Sequence, residues 1–221
     1  MTDHPLIFSA PMIRALIEGR KTQTRRVMNP HEWYQWKFDC VVGRHARFVG
    51  GDSGDVVSHC RLPAIVGDQL WVREAWKVIG RERNGETELI FQYSADGAVY
   101  KFTEAEEFGS ALAAWGKRGN ANRSSIHMPR WASRITLTVK EVRVQRVQEI
   151  SEADAEAEGL KPTTCANVVY EGEGFPSYKS AFGIAWNSIH GPDAWRRNDW
   201  VCALTFSVDP RNIDASIKGA A

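Results

Sequence analysis

Between Ile135 and Val144 the chain alternates apolar and polar residues and then changes phase. Ile135, Leu137 and Val139 are separated by Thr136 and Thr138, the period of a strand with one face buried. After Lys140-Glu141 the apolar positions move to Val142 and Val144. A one-residue shift sends every side chain to the other face, and neither Gly nor Pro marks the break. The pattern therefore predicts one strand that bulges or bends, as strands do at a barrel corner. A second alternation, through Trp200, Cys202, Leu204, Phe206 and Val208, predicts the closing strand. Residues 6–8, 21–27, 70–72 and 88–93 read as further strands, the last turned by Asp96-Gly97.

Helices are written between them. Ser9 caps a helix that tolerates Pro11 in its first turn, buries a stripe of Ile13, Leu16 and Ile17, and leaves through Gly19. Thr103 with Glu106 forms a capping box for a helix striped by Phe108, Leu112 and Trp115. Residues 116–125 read as a polar loop. Ser151, with Asp154 three residues on, opens a short helix closed by Gly159, and residues 178–189 form a helix that buries Phe182 and Trp186. Strands and helices mixed in this way make an α+β chain.

At 221 residues, 43% of them hydrophobic, the chain can bury a full core. We expect one domain over 1–209 with insertions near 28–66 and 77–126, and a flexible tail at 210–221. No apolar run approaches the roughly 18 residues that span a bilayer. The N-terminus lacks a basic-then-apolar signal pattern, so no membrane partner and a cytoplasmic location are expected. Net charge is only +1, which argues against coating nucleic acid by bulk attraction. The charge is unevenly placed. Residues 14–26 carry Arg14, Arg20, Lys21, Arg25 and Arg26 against Glu18, whereas 149–158 carry five acids and no base. Such a basic patch suits one nucleotide or a short strand.

Cys40, Cys60, Cys165 and Cys202 show no C-x-x-C spacing and read as free thiols. Cys40, His45, His59 and Cys60 fit zinc-ligand spacings poorly, so neither metal nor cofactor is expected. Trp33, Tyr34 and Trp36 in the first insertion either pack it onto the body or stack bases.

The densest polar stretch is Gly19-Arg20-Lys21-Thr22-Gln23-Thr24-Arg25-Arg26. Read as G-x-K-x-x-T-x-R, with Gly19, Lys21, Thr24 and Arg26 in place, it resembles the signature of the ASCH domain family, of the PUA-like group of small β-barrels. The common family form has an acid where Thr24 stands. The threonine form is similar to the small bacterial ASCH enzymes that remove the acetyl group from N4-acetylcytidine. The resemblance extends to 67–74, to 128–134 and to the closing strand, and in this long form the chain looks like phage- and prophage-encoded ASCH proteins. It implies a PUA-like small β-barrel flanked by short helices, with two insertions.

The resemblance also implies roles: Lys21 as general base, Thr24 as nucleophile, and Glu158, at the end of the 151–159 helix, as general acid. A threonine hydroxyl needs an adjacent base, and burial or the cations Arg20, Arg25 and Arg26 can draw a lysine toward that task. Glu158 sits at the negative end of its helix dipole and four residues from Asp154, surroundings that suit a proton donor. Arg26 or the Arg20 backbone is placed to hold an oxyanion. Glu74, ending a strand beside Arg73, is a rival acid. Arg130 and Trp131 could hold a base by stacking, with a core position as the alternative for Trp131. One geometric condition follows. In a regular strand Lys21 and Thr24 lie about 10 Å apart on opposite faces, so the backbone must depart from regularity between them.

The function implied is metal-independent hydrolysis of an N4-acylated cytosine nucleoside. The alternative is an RNA-binding module, or a ribonuclease, that uses the same basic patch. Protein partners are not indicated.

Overall fold

The computed structural model describes residues 3–29, 35–50, 56–83, 86–102, 122–162 and 177–218. The helix expected from Thr103, most of the loop after it, Trp33, Tyr34 and Cys165 lie outside them. In chain order the elements are β1 (Asp3–Ile7), α1 (Ala10–Ile17), β2 (Gln23–Val27), β3 (Lys37–Val42), β4 (His45–Gly50), β5 (Val56–Arg61), β6 (Gln69–Arg73), β7 (Trp76–Arg83), β8 (Glu86–Tyr93) and β9 (Val99–Phe102). There follow β10 (Thr136–Arg146), α2 (Glu152–Ala157), α3 (Tyr178–His190), α4 (Ala194–Arg197), β11 (Trp200–Asp209) and α5 (Ile213–Lys218). The α+β class expected from the sequence is what forms. Among the described residues the sheets are open and no closed barrel is found. No described helix is long and apolar enough to cross a membrane.

Two compact units share these elements, where the sequence reading has one domain. The first comprises 1–2, 18–69 and 137–208, and the second 3–17, 70–136 and 209–221.

In the first unit β10, β11 and β2 are neighbours in that order. β11 and β2 run antiparallel, with Leu204 opposite Thr24 and Val201 opposite Val27. As an inner strand, β11 buries Val201, Cys202, Ala203 and Leu204 in succession, not only the alternate positions. Burial pushes the Cys202 thiol up to about 12. α2, α3 and α4 cover one side with Ile150, Ala155, Phe182, Trp186 and Trp195, packed with Val201 and Val27. β10 continues as one strand through the phase change. The region read as the first insertion is a meander, β3-β4-β5. Its Phe38 and Phe48 meet Trp200 at 6.4 and 5.4 Å between ring centroids, and Arg146 lies 4.2 Å over the Trp200 ring. The Trp200 indole donates to the Trp36 carbonyl at 3.2 Å. These rings pack the meander onto β11.

The second unit contains the neighbours β1 and β6 and the antiparallel sheet β7-β8-β9. Trp76 stacks on Phe91 at 4.9 Å, and Trp131 meets Phe91 edge-on at 5.0 Å. The Asp96-Gly97 turn forms as expected, with Gly97 at φ 75°. α1 buries Ile13, Ala15 and Leu16, but Ile17 is 48% exposed. It is the last helical residue, so the stripe stops one position short of it.

The tail is also not loose throughout. α5 spans Ile213–Lys218, Ile213 is fully buried, and Asp214 pairs with Arg130. The Asn212 amide donates to the carbonyls of Arg130, Trp131 and Ser133 at 3.0, 3.1 and 2.7 Å. Local propensity shows no reason for this order; three carbonyls reached by one side chain supply it. Asn212→Ala leaves those carbonyls without that donor and is expected to cost about 1–3 kcal/mol. Urea denaturation checks this, and an unchanged midpoint would mean that water replaces the amide.

Candidate functional site

Gly19 takes φ 73°, a conformation that side-chain-bearing residues rarely adopt, and delivers the octet to the end of α2. The Arg20 guanidinium donates to Glu18 and to the Gly159 carbonyl. Lys21 and Glu158 form an isolated antiparallel bridge. The Thr22 amide donates to the Ala157 carbonyl at 2.8 Å, while the Thr22 carbonyl accepts from Phe206 at 2.9 Å. In a regular strand both groups of one residue face the same neighbour. Here they face two, so the backbone departs from a regular strand at Thr22.

α2 is held from its other end. The Ser151 hydroxyl accepts from the Asp154 amide at 3.1 Å, and Gly159 leaves the helix at φ 84°. Glu158 is therefore the C-terminal cap residue, with its carboxylate turned to the octet. Its Oε2 accepts from Lys21 Nζ at 2.7 Å and its Oε1 from Arg25 Nη1 at 3.0 Å. Lys21 Nζ also donates to the carbonyls of Gln23 and Glu158, at 2.8 and 3.0 Å. Three acceptors thus meet the three ammonium hydrogens. Lys21 has no exposed surface, and Thr24 and Glu158 are 3% and 6% exposed.

Desolvation lowers the Lys21 ammonium below its ordinary value of 10.5; Glu158 opposes the shift, and Arg26 and Arg25 add to it. Burial likewise pushes Arg26 down, with Glu158 opposing. Within β2 side chains alternate. Gln23 and Arg25 share the face that meets Asp154, so Thr24 belongs to the other face, opposite Leu204.

The sequence reading treats Asp154 as a negative neighbour of Glu158. Folding instead covers both carboxylates with cations: Arg25 Nη2 and Arg143 Nη2 reach Asp154 at 3.1 and 2.8 Å. Gln23 and Arg143 carried no site role in that reading. The alternation of Gln23 with Arg25 was a readable sign that they share a face; the arrival of Arg143 from β10 had no local signal.

The remaining candidates sit apart from this cluster in their contacts. Glu74, in the second unit, is 1% exposed and accepts from Nε and Nη2, one edge of the Arg134 guanidinium, at 2.8 and 2.9 Å. Arg73, its neighbour in sequence, lies over the Trp71 ring. Burial pushes the Glu74 carboxyl up, against the pull of Arg134. Arg130 is ion-paired with Asp3 and Asp214, and Trp131 packs on Phe91. Among the described residues no three His, Cys, Asp or Glu side chains group as metal ligands. In the meander, His59 stands opposite Arg47 and Cys60 opposite Ala46, on opposite faces of β5.

Comparison with protein-family models, with curated proteins and with solved structures finds no match.

Two stability outcomes follow from this geometry. Breaking one side of a buried pair typically costs about 3–5 kcal/mol, whereas replacing both by apolar residues costs far less. Lys21→Met and Glu158→Leu should each destabilise on that scale, and the double variant by less than their sum, measured by chemical denaturation. The second concerns pH. With the folded-state value of Lys21 lowered, the unfolded state binds more protons between that value and 10.5. Wild-type stability therefore rises with pH across this window, and Lys21→Met should lack that part of the slope.

Proposed function

We propose that this protein hydrolyses the exocyclic amide of N4-acetylcytidine, or of a related N4-acylated cytosine nucleoside, through Lys21, Thr24 and Glu158. The observation that carries the reading is the 2.7 Å contact between the Lys21 ammonium and the Glu158 carboxylate, made by a lysine drawn below its ordinary value by burial. The threonine form of the octet, which resembles that of the ASCH deacetylases, supplies the substrate class.

Passing the Lys21 proton to Glu158 Oε2 leaves a free amine beside a carboxylic acid, a base and an acid from one transfer. Once a turn of the β2 backbone has brought it to the face of Lys21, Thr24 Oγ1 adds to the acetyl carbonyl as Lys21 takes its proton. Collapse breaks the bond from carbon to N4, and Glu158 protonates the leaving amine, so cytidine departs and the acetyl group stays on Thr24 as an ester. Lys21 then passes its proton to Glu158 a second time and takes one from the water that attacks the ester; Glu158 protonates the departing Thr24 oxygen, so acetate is released and the hydroxyl restored. Low exposure strengthens each charge interaction in such a site, and substrate entry requires displacing what covers Thr24. Arg26 and the Arg20 backbone remain the candidates for the oxyanion.

One observation favours a second reading. With three acceptors for three hydrogens, Lys21 also fits a core ion pair that only joins β2 to α2. Incubation with N4-acetylcytidine, following cytidine and acetate by chromatography, separates the two. Wild type is expected to release both, and Thr24→Ala to lose activity about a thousandfold or more. Thr24→Ser should keep part of it. Lys21→Arg should be inactive although it keeps the charge, because arginine does not give up its proton. Folded wild type that releases no cytidine would leave the structural reading, and RNA binding without reaction, in place.

A further inference from the structure

The pair Lys21–Glu158 is the inner end of a line of alternating charges. Glu158 Oε1 faces Arg25, Arg25 Nη2 faces Asp154, and Asp154 Oδ1 accepts from Arg143 Nη2 at 2.8 Å. Arg143 in turn lies 3.6 Å from Glu141. Side-chain exposure is 0% at Lys21 and Arg25 and 5% at Glu158, and it rises to 17% at Asp154 and 37% at Arg143. Three elements and their ends supply it: Lys21 lies just before β2, which gives Arg25, Asp154 lies in α2 with Glu158 as its C-terminal cap, and β10 gives Arg143 and Glu141.

Arg25 is held by both of its terminal nitrogens, while its buried Nε has no hydrogen-bond partner among the described residues. Its Nη1 donates to Gln23 Oε1 at 2.6 Å as well as to Glu158, its Nη2 donates to Asp154, and its guanidinium carbon lies 5.6 Å from the Phe182 ring centroid. Gln23 is fixed by the same carboxylate, since its amide donates to Asp154 Oδ1 and to Thr205 at 3.1 Å each. Asp154 thereby orients both groups that set the position of Glu158 Oε1. It also divides the Arg25 charge between two carboxylates. Without it, that charge bears on Glu158 and Lys21 alone.

We infer that Asp154 is a positioning residue that acts through Arg25 on the proton exchange between Lys21 and Glu158. The inference rests on the proposed hydrolase for its kinetic arm only. The charged groups that act on Lys21 are Glu158, Arg26 and Arg25; Asp154 of α2 and Arg143 and Glu141 of β10 stand one step further out, beyond Arg25. His190 of α3 interacts with Arg26.

The test follows the Lys21 side-chain resonance against pH in the full chain labelled at lysine, beside the pH profile of kcat for N4-acetylcytidine. Asp154→Asn removes an anion and should move the Lys21 midpoint and the acid limb of kcat to lower pH, with KM little changed. Asp154→Glu, which keeps the charge, should restore both toward wild type. Arg143→Gln removes the outer cation and should move the Lys21 midpoint the opposite way. A folded Asp154→Asn variant with wild-type midpoint and limb would overturn the inference. If that variant does not fold, Arg143→Gln decides, and a wild-type midpoint there overturns it equally. Absence of cytidine release by wild type would remove the proposed reaction, while the resonance titration still tests the role of Asp154.

Discussion

An ammonium group with no exposed surface must place all of its hydrogens on protein acceptors, because leaving a charge buried and unsatisfied costs several kcal/mol. Lys21 meets that demand with two carbonyls and one carboxylate oxygen. The partner Glu158 stands 137 residues away in sequence. Meeting it fixes how β2 is entered and where α2 ends. The split hydrogen bonding of Thr22, to α2 on one side and β11 on the other, is the backbone counterpart of the same join. Arg20 on the Gly159 carbonyl repeats it one residue earlier.

The second unit solves a similar problem with the signs exchanged. There the deepest charge is an anion: Glu74 shows 2% of its side-chain surface, against 20% for Arg134. Arg134 serves Glu74 and Asp96 together and lies 4.0 Å over the Tyr93 ring, while the Tyr93 hydroxyl donates to the Ala132 carbonyl. In both clusters an arginine stands between two carboxylates, one deep and one nearer water. The planar fork of guanidinium suits that task, since it offers separate edges to separate acceptors. The difference lies beyond the fork. In the first unit the deep carboxylate also meets a lysine, which can give up a proton. In the second it meets the arginine, which cannot, and this makes the octet and not Glu74 the better place for proton transfer.

Much of the local structure was legible. The Ser151 cap, the Gly159 exit, the 178–190 helix with Phe182 and Trp186 inward, the Asp96-Gly97 turn and the long strand through Val139 all follow from rules that act over a few residues. The misreadings occur where tertiary contacts outweigh those rules. Ile17 has the right spacing for the α1 stripe and the wrong place in the helix. Residues 210–221 look like a tail by composition, yet Asn212 and Ile213 are anchored by contacts that composition does not encode. Among the described residues the α+β class is present and no closed barrel is found; alternation shows which face of a strand is buried and says nothing about which strands are neighbours.

The sequence by itself determined the long strands β10 and β11, the helices α1, α2 and α3, a departure from regular strand near Thr22, and the concentration of cations in the octet against acids in 149–158. Those are consequences of side-chain period and of charge along the chain, and they need no knowledge of partners. Tertiary structure alone decided that Lys21 and Arg25 take the two oxygens of Glu158, that Arg143 takes Asp154, and that Glu74 belongs to Arg134. Coulomb energy depends on distance in space and on exclusion of water, and neither quantity exists until β2, β10 and α2 have packed.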